Sequence, residues 1–273
     1  MLNSEPPLLK ITGASVVKNG TRILDNLSLE IAPGQHTAIL GPNGSGKSSL
    51  IKLITRQHYP LARPDGEPVI TIFGRARWDV FALRSLLGIV SADLHQSFVS
   101  SGLPGREVVL SGFFASQGLA AHHEVTSEME GRAEEALKLA HAAHLADKPM
   151  EQMSTGEARR ILIARALVPD PRALLLDEPT TGLDIGARRR FLQTVQQIAQ
   201  SGKTIILVTH HVEEVIPEIS RAVLLRGGKV FQDGSTADVL TSSHLSALFG
   251  EPIEVRHQSN AYTAEVHGDK HGL

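Results

Sequence analysis

The sequence predicts an α/β chain: a parallel sheet with helices on its faces, a small antiparallel β edge at the N-terminus, and a helical block inserted at about residues 92–165. Three observations carry this. From residue 172 onward short apolar strands alternate with helices (RALLLD, IGARRRFLQTVQQIAQ, TIILVTH, VEEVIPEI), the pattern of parallel strands joined by crossover helices. Near the N-terminus LLKITGASVV and TRILDNLSLEI alternate like strands around a KNG turn, which reads as a hairpin. Between the two regions Ala and Glu rise, and EMEGRAEEALKLAHAAHLA reads as helix.

The remaining elements fall into order around these. HTAIL at 36–40 is a short buried strand running into a Gly-rich loop, and SSLIKLITR after the loop is a helix. VITIF at 69–73 and LLGIV at 86–90 are further strands, and AVLLRGGKVFQ is a strand, a GG turn and a strand. One domain is expected over residues 8–250. Residues 251–273 are polar without a clear period and read as a loose tail.

Composition narrows the class. A length of 273 residues allows one large domain or two small ones, and 41% hydrophobic residues with only 4% aromatic imply an aliphatic core. The net charge of −2 gives no electrostatic case for nucleic acid as a bulk partner; RARW at 75–78 and ARRR at 187–190 are too thin to change that. With no Cys, disulfides and thiolate metal sites are excluded, and a reducing compartment fits. MLNSEPPLLK has neither the basic region nor the apolar stretch of a secretory signal. No window approaches the roughly 18–20 apolar residues of a membrane span. His122 and His123, His141 and His144, and His257, His267 and His271 lack acidic or Cys partners at ligand spacing and read as solvated surface.

GPNGSGKSS at 41–49 matches G-x-x-x-x-G-K-[ST] between a predicted strand and a predicted helix, the context this phosphate-binding pattern requires. Its glycines let successive N–H groups point at phosphate oxygens, and the helix adds its positive end. The predicted nucleotide-binding set is Gly41, Pro42, Asn43, Gly44, Ser45, Gly46, Lys47, Ser48 and Ser49. Lys47 neutralises terminal phosphates, and Ser48 offers a hydroxyl to Mg²⁺. ALLLDEP at 173–179 supplies the acidic half: Asp177 suits Mg²⁺ through water, and Glu178 is placed to take a proton from a water attacking the terminal phosphate.

MSTGEARR at 153–160 is a helix start, with Ser154 and Glu157 forming a capping box. Gly156 inside the box costs about 0.5–1 kcal/mol relative to Ala, which asks what must approach the backbone there.

Five motifs now stand in one order: GPNGSGKSS, MSTGEARR, LLLDEP, TGLD at 181–184 and VTHH at 208–211. The chain thereby resembles the ATP-binding subunit family of ABC transporters over roughly residues 8–250. The resemblance implies a RecA-like P-loop NTPase fold and Mg²⁺-dependent ATP hydrolysis by a head-to-tail homodimer with two ATP molecules at its interface. It also implies separate integral membrane permease subunits, and a cytoplasmic location on the inner face of the membrane. In the family, the stretch at 153–160 is the signature loop. Ser154 and the Gly156 backbone would meet the γ-phosphate held by the partner's phosphate loop, with Glu157 in the family's Gln position. Asp184 resembles the residue that communicates between the two sites, and His210 the switch histidine that reaches the γ-phosphate.

Three positions depart from the family pattern. Thr155 and Glu157 replace Gly and Gln in the signature. No aromatic stands upstream to stack on adenine; Lys18 occupies that place, and its aliphatic stem or Val16 would cover the base. In GIVSADLHQSF the lid glutamine is displaced: Ala92 or Asp93 holds its position and Gln96 follows late, so either Gln96 or Asp93 serves Mg²⁺. REVVLSGFFASQGL at 106–119 resembles a subgroup labelled as molybdate-type transport ATPases, with Phe113 and Phe114 either docking aromatics or core. The alternative reading is a soluble ABC-type ATPase acting on ribosome or nucleic acid. It is disfavoured by a single signature and no sustained heptads. A nucleotide kinase would lack the signature and the switch histidine.

Overall fold

A computed structural model describes residues 5–266. Its first elements are β1 (Leu9–Lys18), β2 (Thr21–Ile31), β3 (Thr37–Leu40), α1 (Lys47–Ile54), β4 (Ile70–Ile72), α2 (Val80–Leu86) and β5 (Leu87–Val90). There follow α3 (Ala92–Val99), α4 (Gly105–Leu110), α5 (Ser127–Leu139), α6 (Thr155–Leu167), β6 (Ala173–Asp177), α7 (Ile185–Gln200) and β7 (Thr204–Thr209). The chain closes with β8 (Arg221–Arg226), β9 (Lys229–Ser235), α8 (Thr236–Val239), α9 (Ser242–Phe249), β10 (Ile253–Gln258) and β11 (Ala261–Val266). The strands and helices are those of an α/β chain with a mixed, mostly parallel sheet and a separate antiparallel one. Two compact units share them, one running to Trp78 and resuming at Leu207, the other Asp79–Ile206; the boundary falls inside β7.

In the first unit β1 lies between β2 and β4 and pairs antiparallel with both. Asn19 and Gly20 both take positive φ, the geometry of the tight hairpin turn that twists with its strands. β1 and β2 alternate in burial, so one face of the sheet carries Leu9, Ile11, Val16, Leu24, Leu27 and Leu29 into the core. β3 is buried at all four positions and pairs parallel with β8, as expected of a strand covered on both faces. β8 returns through Gly227 and Gly228 into β9, antiparallel.

The second unit holds the parallel pair β5–β6 and the helices α2 to α7. α6 is buried on nearly every side, Ile161, Leu162, Ile163 and Ala164 in succession, so it has no apolar stripe. α7 keeps a single buried edge through Phe191, Val195 and Ile198.

Three expectations change. The helix over EMEGRAEEALKLAHAAHLA ends at Leu139, because His141 adopts φ 51 and turns the chain. His141 and His144 are therefore not on one helix. VEEVIPEI forms only a 3₁₀ turn at Val212–Glu214, followed three residues on by Pro217, which cannot continue a helix. The polar stretch after Gly250 is no loose tail over Ile253–Val266 but the hairpin β10–β11. There Tyr262 is buried and stacks on His257 at 4.3 Å, the Ala264 N–H donates to Glu213 Oε1 (3.1 Å) and the Val255 N–H to Ser242 Oγ (2.9 Å). Polar partners hold these strands, which is why apolar periodicity did not reveal them. His267 and His271 lie outside the described residues.

Candidate functional site

The first unit carries the phosphate loop. β3 ends at Leu40, the loop curls through residues 41–46, and α1 starts at Lys47 with Gly46 at its N-cap. No side chain caps α1 and no acid stands in its first turn. Lys47 is buried and lies back over the loop, its Nζ donating to the carbonyls of Gly41 (2.6 Å) and Pro42 (3.2 Å). Ser45 Oγ is buried with no hydrogen-bond partner, while Ser48 is exposed. A helix start with no side-chain cap, an orphaned Ser45 hydroxyl and a buried ammonium lying over the loop carbonyls fit a phosphate chain.

What holds the loop in shape was only half legible. Gly228 reads as a turn residue. In the fold its N–H donates to Ser45 O (2.9 Å) and its carbonyl accepts from Asp25 N–H (3.0 Å). A Cβ there would stand 2.3 Å from Ile23 O, so only Gly lets the β8–β9 turn meet both the loop and β2.

Near the hairpin end of β1, Val16 is 3% exposed and closed to any ligand; Val17 and Lys18 are open. Of the two candidates for covering a base, Lys18 alone is accessible. His210 follows β7, half-buried, with the ring of His211 3.9 Å away at 41°. His211, whose N–H donates to Thr209 Oγ1, is a neighbour that sequence reasoning passed over.

The second unit carries the signature stretch. Ser154, Thr155, Gly156, Glu157, Leu183 and Asp184 help line one pocket of ≈ 280 Å³. The capping box is complete: the Glu157 N–H donates to Ser154 Oγ (3.3 Å) and the Ser154 N–H to Glu157 Oε2 (2.8 Å). Glu157 thus points back along its own helix, as expected. Lys148, which the sequence did not single out, donates to the same Oε2 at 2.9 Å. That bond, with the Ser154 N–H, holds the Glu157 carboxyl below the usual carboxylate range, so the extra charge in this signature is neutralised on the spot. Asp184 caps α7, its Oδ1 accepting from Ala187 N–H at 2.7 Å.

Gly156 has a reason inside the chain. A Cβ on it would lie 3.2 Å from the Cβ of Ala187 and 3.8 Å from Leu183 Cδ2. The starts of α6 and α7 come that close, and Gly is the residue that lets them.

Also in this unit, Asp177 closes β6 partly exposed, and Glu178 follows with φ 43, a left-handed conformation uncommon for a residue with a Cβ. In the lid segment Ser91 caps α3, Ala92 and Asp93 are in its first turn, and Gln96 is exposed one turn on. Phe113 and Phe114 are half-buried and engaged within the unit, Phe113 under the Arg132 guanidinium at 5.3 Å and Phe114 stacked on His123 at 4.1 Å. Among the described residues no group of three or more His, Cys, Asp and Glu is placed to hold a metal, and no helix is long and apolar enough to cross a membrane.

A family model described as ABC transporter matches residues 24–181. An uncharacterized ABC transporter ATP-binding protein of Bacillus subtilis (strain 168), YlmA, is 36% identical over 252 residues, 91% of this chain and 93% of its own length. Among solved structures, CbiO1 from Clostridium perfringens, part of the ABC transporter complex CbiONQ, superposes with a TM-score of 0.71 at 27% identity, covering 89% of this chain and 94% of that one. The ATP-binding cassette MJ0796, as a dimer in a post-hydrolysis state bound to ADP and Pi, gives a TM-score of 0.67 at 27% identity over 83% of this chain and 98% of that one.

Proposed function

This chain belongs to the ABC transporter family as an ATP-binding subunit, and from that membership we propose how it works: two copies close head to tail on two ATP molecules, and the closure is passed to separate membrane subunits on the cytoplasmic face. The observation that carries the reading is the phosphate loop, with α1 uncapped and Lys47 resting on the Gly41 and Pro42 carbonyls. Lys47 exchanges those carbonyls for phosphate oxygens when ATP arrives, so that its ammonium meets anionic acceptors. The dimer of MJ0796 with ADP and Pi supports the pairing, and the CbiONQ complex supports membrane partners.

In this proposal Mg²⁺, when bound, supplies positive charge to the phosphates. Its ligands are oxygens, the Ser48 hydroxyl and the Asp177 carboxylate through water, a hard donor set that suits the ion, with Gln96 or Asp93 as the lid ligand. Glu178, which follows β6 with a left-handed backbone, accepts the proton of the attacking water. His210 steadies the γ-phosphate. Lys18 covers the adenine with its aliphatic stem, which stacks less well than an aromatic. Ser154 and the Gly156 N–H serve the partner's ATP, while Asp184 links the two sites.

Glu178→Gln tests the core of this. The amide cannot take the proton, so the variant binds ATP, stays closed, and runs as a dimer on size exclusion while wild type runs as a monomer. Hydrolysis at the wild-type rate by the variant removes Glu178 from the role of base. Gentle purification of the tagged chain from native membranes tests the rest: a polytopic membrane protein is expected to accompany it, and ribosomal proteins in its place overturn the transporter coupling.

A further inference from the structure

A second cavity, of ≈ 660 Å³, opens along α7 and is lined by His141, Arg160, Arg190, Gln193, Gln197 and Gln200, among others. Its volume falls within the roughly 300–1,000 Å³ typical of small-molecule sites. Residues 190, 193, 197 and 200 recur at helical spacing, so one face of α7 presents an Arg followed by a row of neutral amides. A solvated helix face ordinarily mixes charges of both signs; here no Asp or Glu lines the cavity.

The charge on this lining is unbalanced. Among the described residues neither Arg160 nor Arg190 makes an ion pair with a carboxylate. Burial disfavours the charge on Arg160, and Arg190 adds to that by repulsion. Glu157 attracts Arg160, but its Oε2 already accepts from Lys148 and from Ser154 N–H. The donors are also held in place. Arg160 Nη1 donates to the His141 carbonyl at 2.8 Å, and the ring Nε2 of His141 meets Gln197 Oε1 at 3.3 Å, which leaves the Gln197 NH₂ for another partner. Two guanidiniums that make no ion pair among the described residues and a row of carboxamides give this cavity a donor-rich lining with no acid.

We propose that this cavity binds a small multivalent oxyanion, a molecule whose carboxylate or phosphate groups are taken by Arg160 and Arg190 while the glutamine amides bond its remaining polar groups. The same two arginines line the signature pocket. Occupancy therefore fixes the side chains beside Ser154 and Asp184 and alters ATP-driven closure; this second half rests on the function proposed above, the first half does not.

The experiment uses the full chain, free of nucleotide and Mg²⁺, with ¹⁵N-labelled arginine and the Nε–H signals as readout. Citrate is the carboxylate probe and inorganic phosphate the phosphate probe, each matched in ionic strength by sodium chloride. Saturable shifts of the Arg160 and Arg190 signals below 1 mM order (about the −4 kcal/mol range) are expected with at least one probe, and the responding probe assigns the group recognised. Lys47→Ala keeps those shifts, which separates the cavity from the phosphate loop. Arg190→Ala weakens binding about tenfold or more, and Gln193→Leu, at an exposed position, weakens it severalfold should the arginine variant misfold. Equal shifts with chloride alone, or unchanged affinity in Gln193→Leu and Arg190→Ala, overturn the site. Dimer formation by Glu178→Gln with ATP, at constant free Mg²⁺, is then compared with and without the bound probe; an unmoved dimer fraction overturns the coupling and leaves the site standing.

Discussion

Gly156→Ala separates two reasons for a glycine in the signature. At a helical position the methyl gains about 0.5–1 kcal/mol of helix stability. Against this, its Cβ would lie 3.2 Å from that of Ala187, close enough that the start of α7 must yield by a few tenths of an ångström. Overpacking of this kind costs about 1–3 kcal/mol, so the variant is expected to lose about 0–2.5 kcal/mol. Ala187→Gly removes the opposing methyl while keeping the N–H that Asp184 caps, at a helix cost of about 0.5–1 kcal/mol of its own. The double variant should then be about 1 kcal/mol more stable than the sum of the singles. Urea denaturation without nucleotide reads this directly: with m of about 1–3 kcal/mol/M, a coupling of that size moves the midpoint by about 0.3–1 M. Additive effects would refute the packing argument. ATP hydrolysis reads the second reason: if the partner's phosphate also needs the bare backbone, Ala187→Gly relieves the packing conflict of Gly156→Ala without restoring activity.

Two further changes probe neighbouring features. Lys148→Met removes the ammonium that lowers the Glu157 pKa. The Glu157 carboxylate stabilises the fold above its unfolded pKa, and this is lost as pH falls through the lower folded value; in Lys148→Met the acid loss should begin at higher pH and total less. The pair is part exposed, so the effect is expected at about 0.2–1 kcal/mol, and identical urea midpoints for both proteins from pH 7 to 3 would exclude it. Gly228→Ala drives a Cβ against the Ile23 carbonyl at a residue with φ 77, and should cost about 3 kcal/mol or more and weaken ATP binding by loosening Ser45. Calorimetry showing wild-type melting and ATP affinity would refute the role given to that turn.

The parts of the site that lie within one short segment were legible in the chain. The phosphate loop, the capping box and the acids after β6 depend on neighbours at most eight positions apart. Local backbone geometry therefore dictates which residue types can stand there. In the lid, Ser91 caps α3 through the Leu94 N–H, which sets Ala92 and Asp93 in the first turn and Gln96 one turn on, an arrangement fixed by capping rather than by the position of the glutamine in the chain. The C-terminal hairpin was missed because its strands are held by Ser242 and Glu213, residues whose polarity says nothing of what they bond.

By itself, the sequence determined the α/β class, the succession of strands β1 to β9 and the identity of the chemical groups, because periodicity, turn residues and phosphate-loop spacing are local properties of a polypeptide. Only the tertiary structure decided that Lys148 neutralises Glu157, that Ala187 rather than a ligand alone excludes a side chain at 156, that Gly228 braces the phosphate loop, and that Arg160 and Arg190 share an acid-free cavity. Each of these joins residues from separate elements. Their proximity follows from how helices and strands pack, and packing depends on the shape of the whole core, which no window of sequence contains.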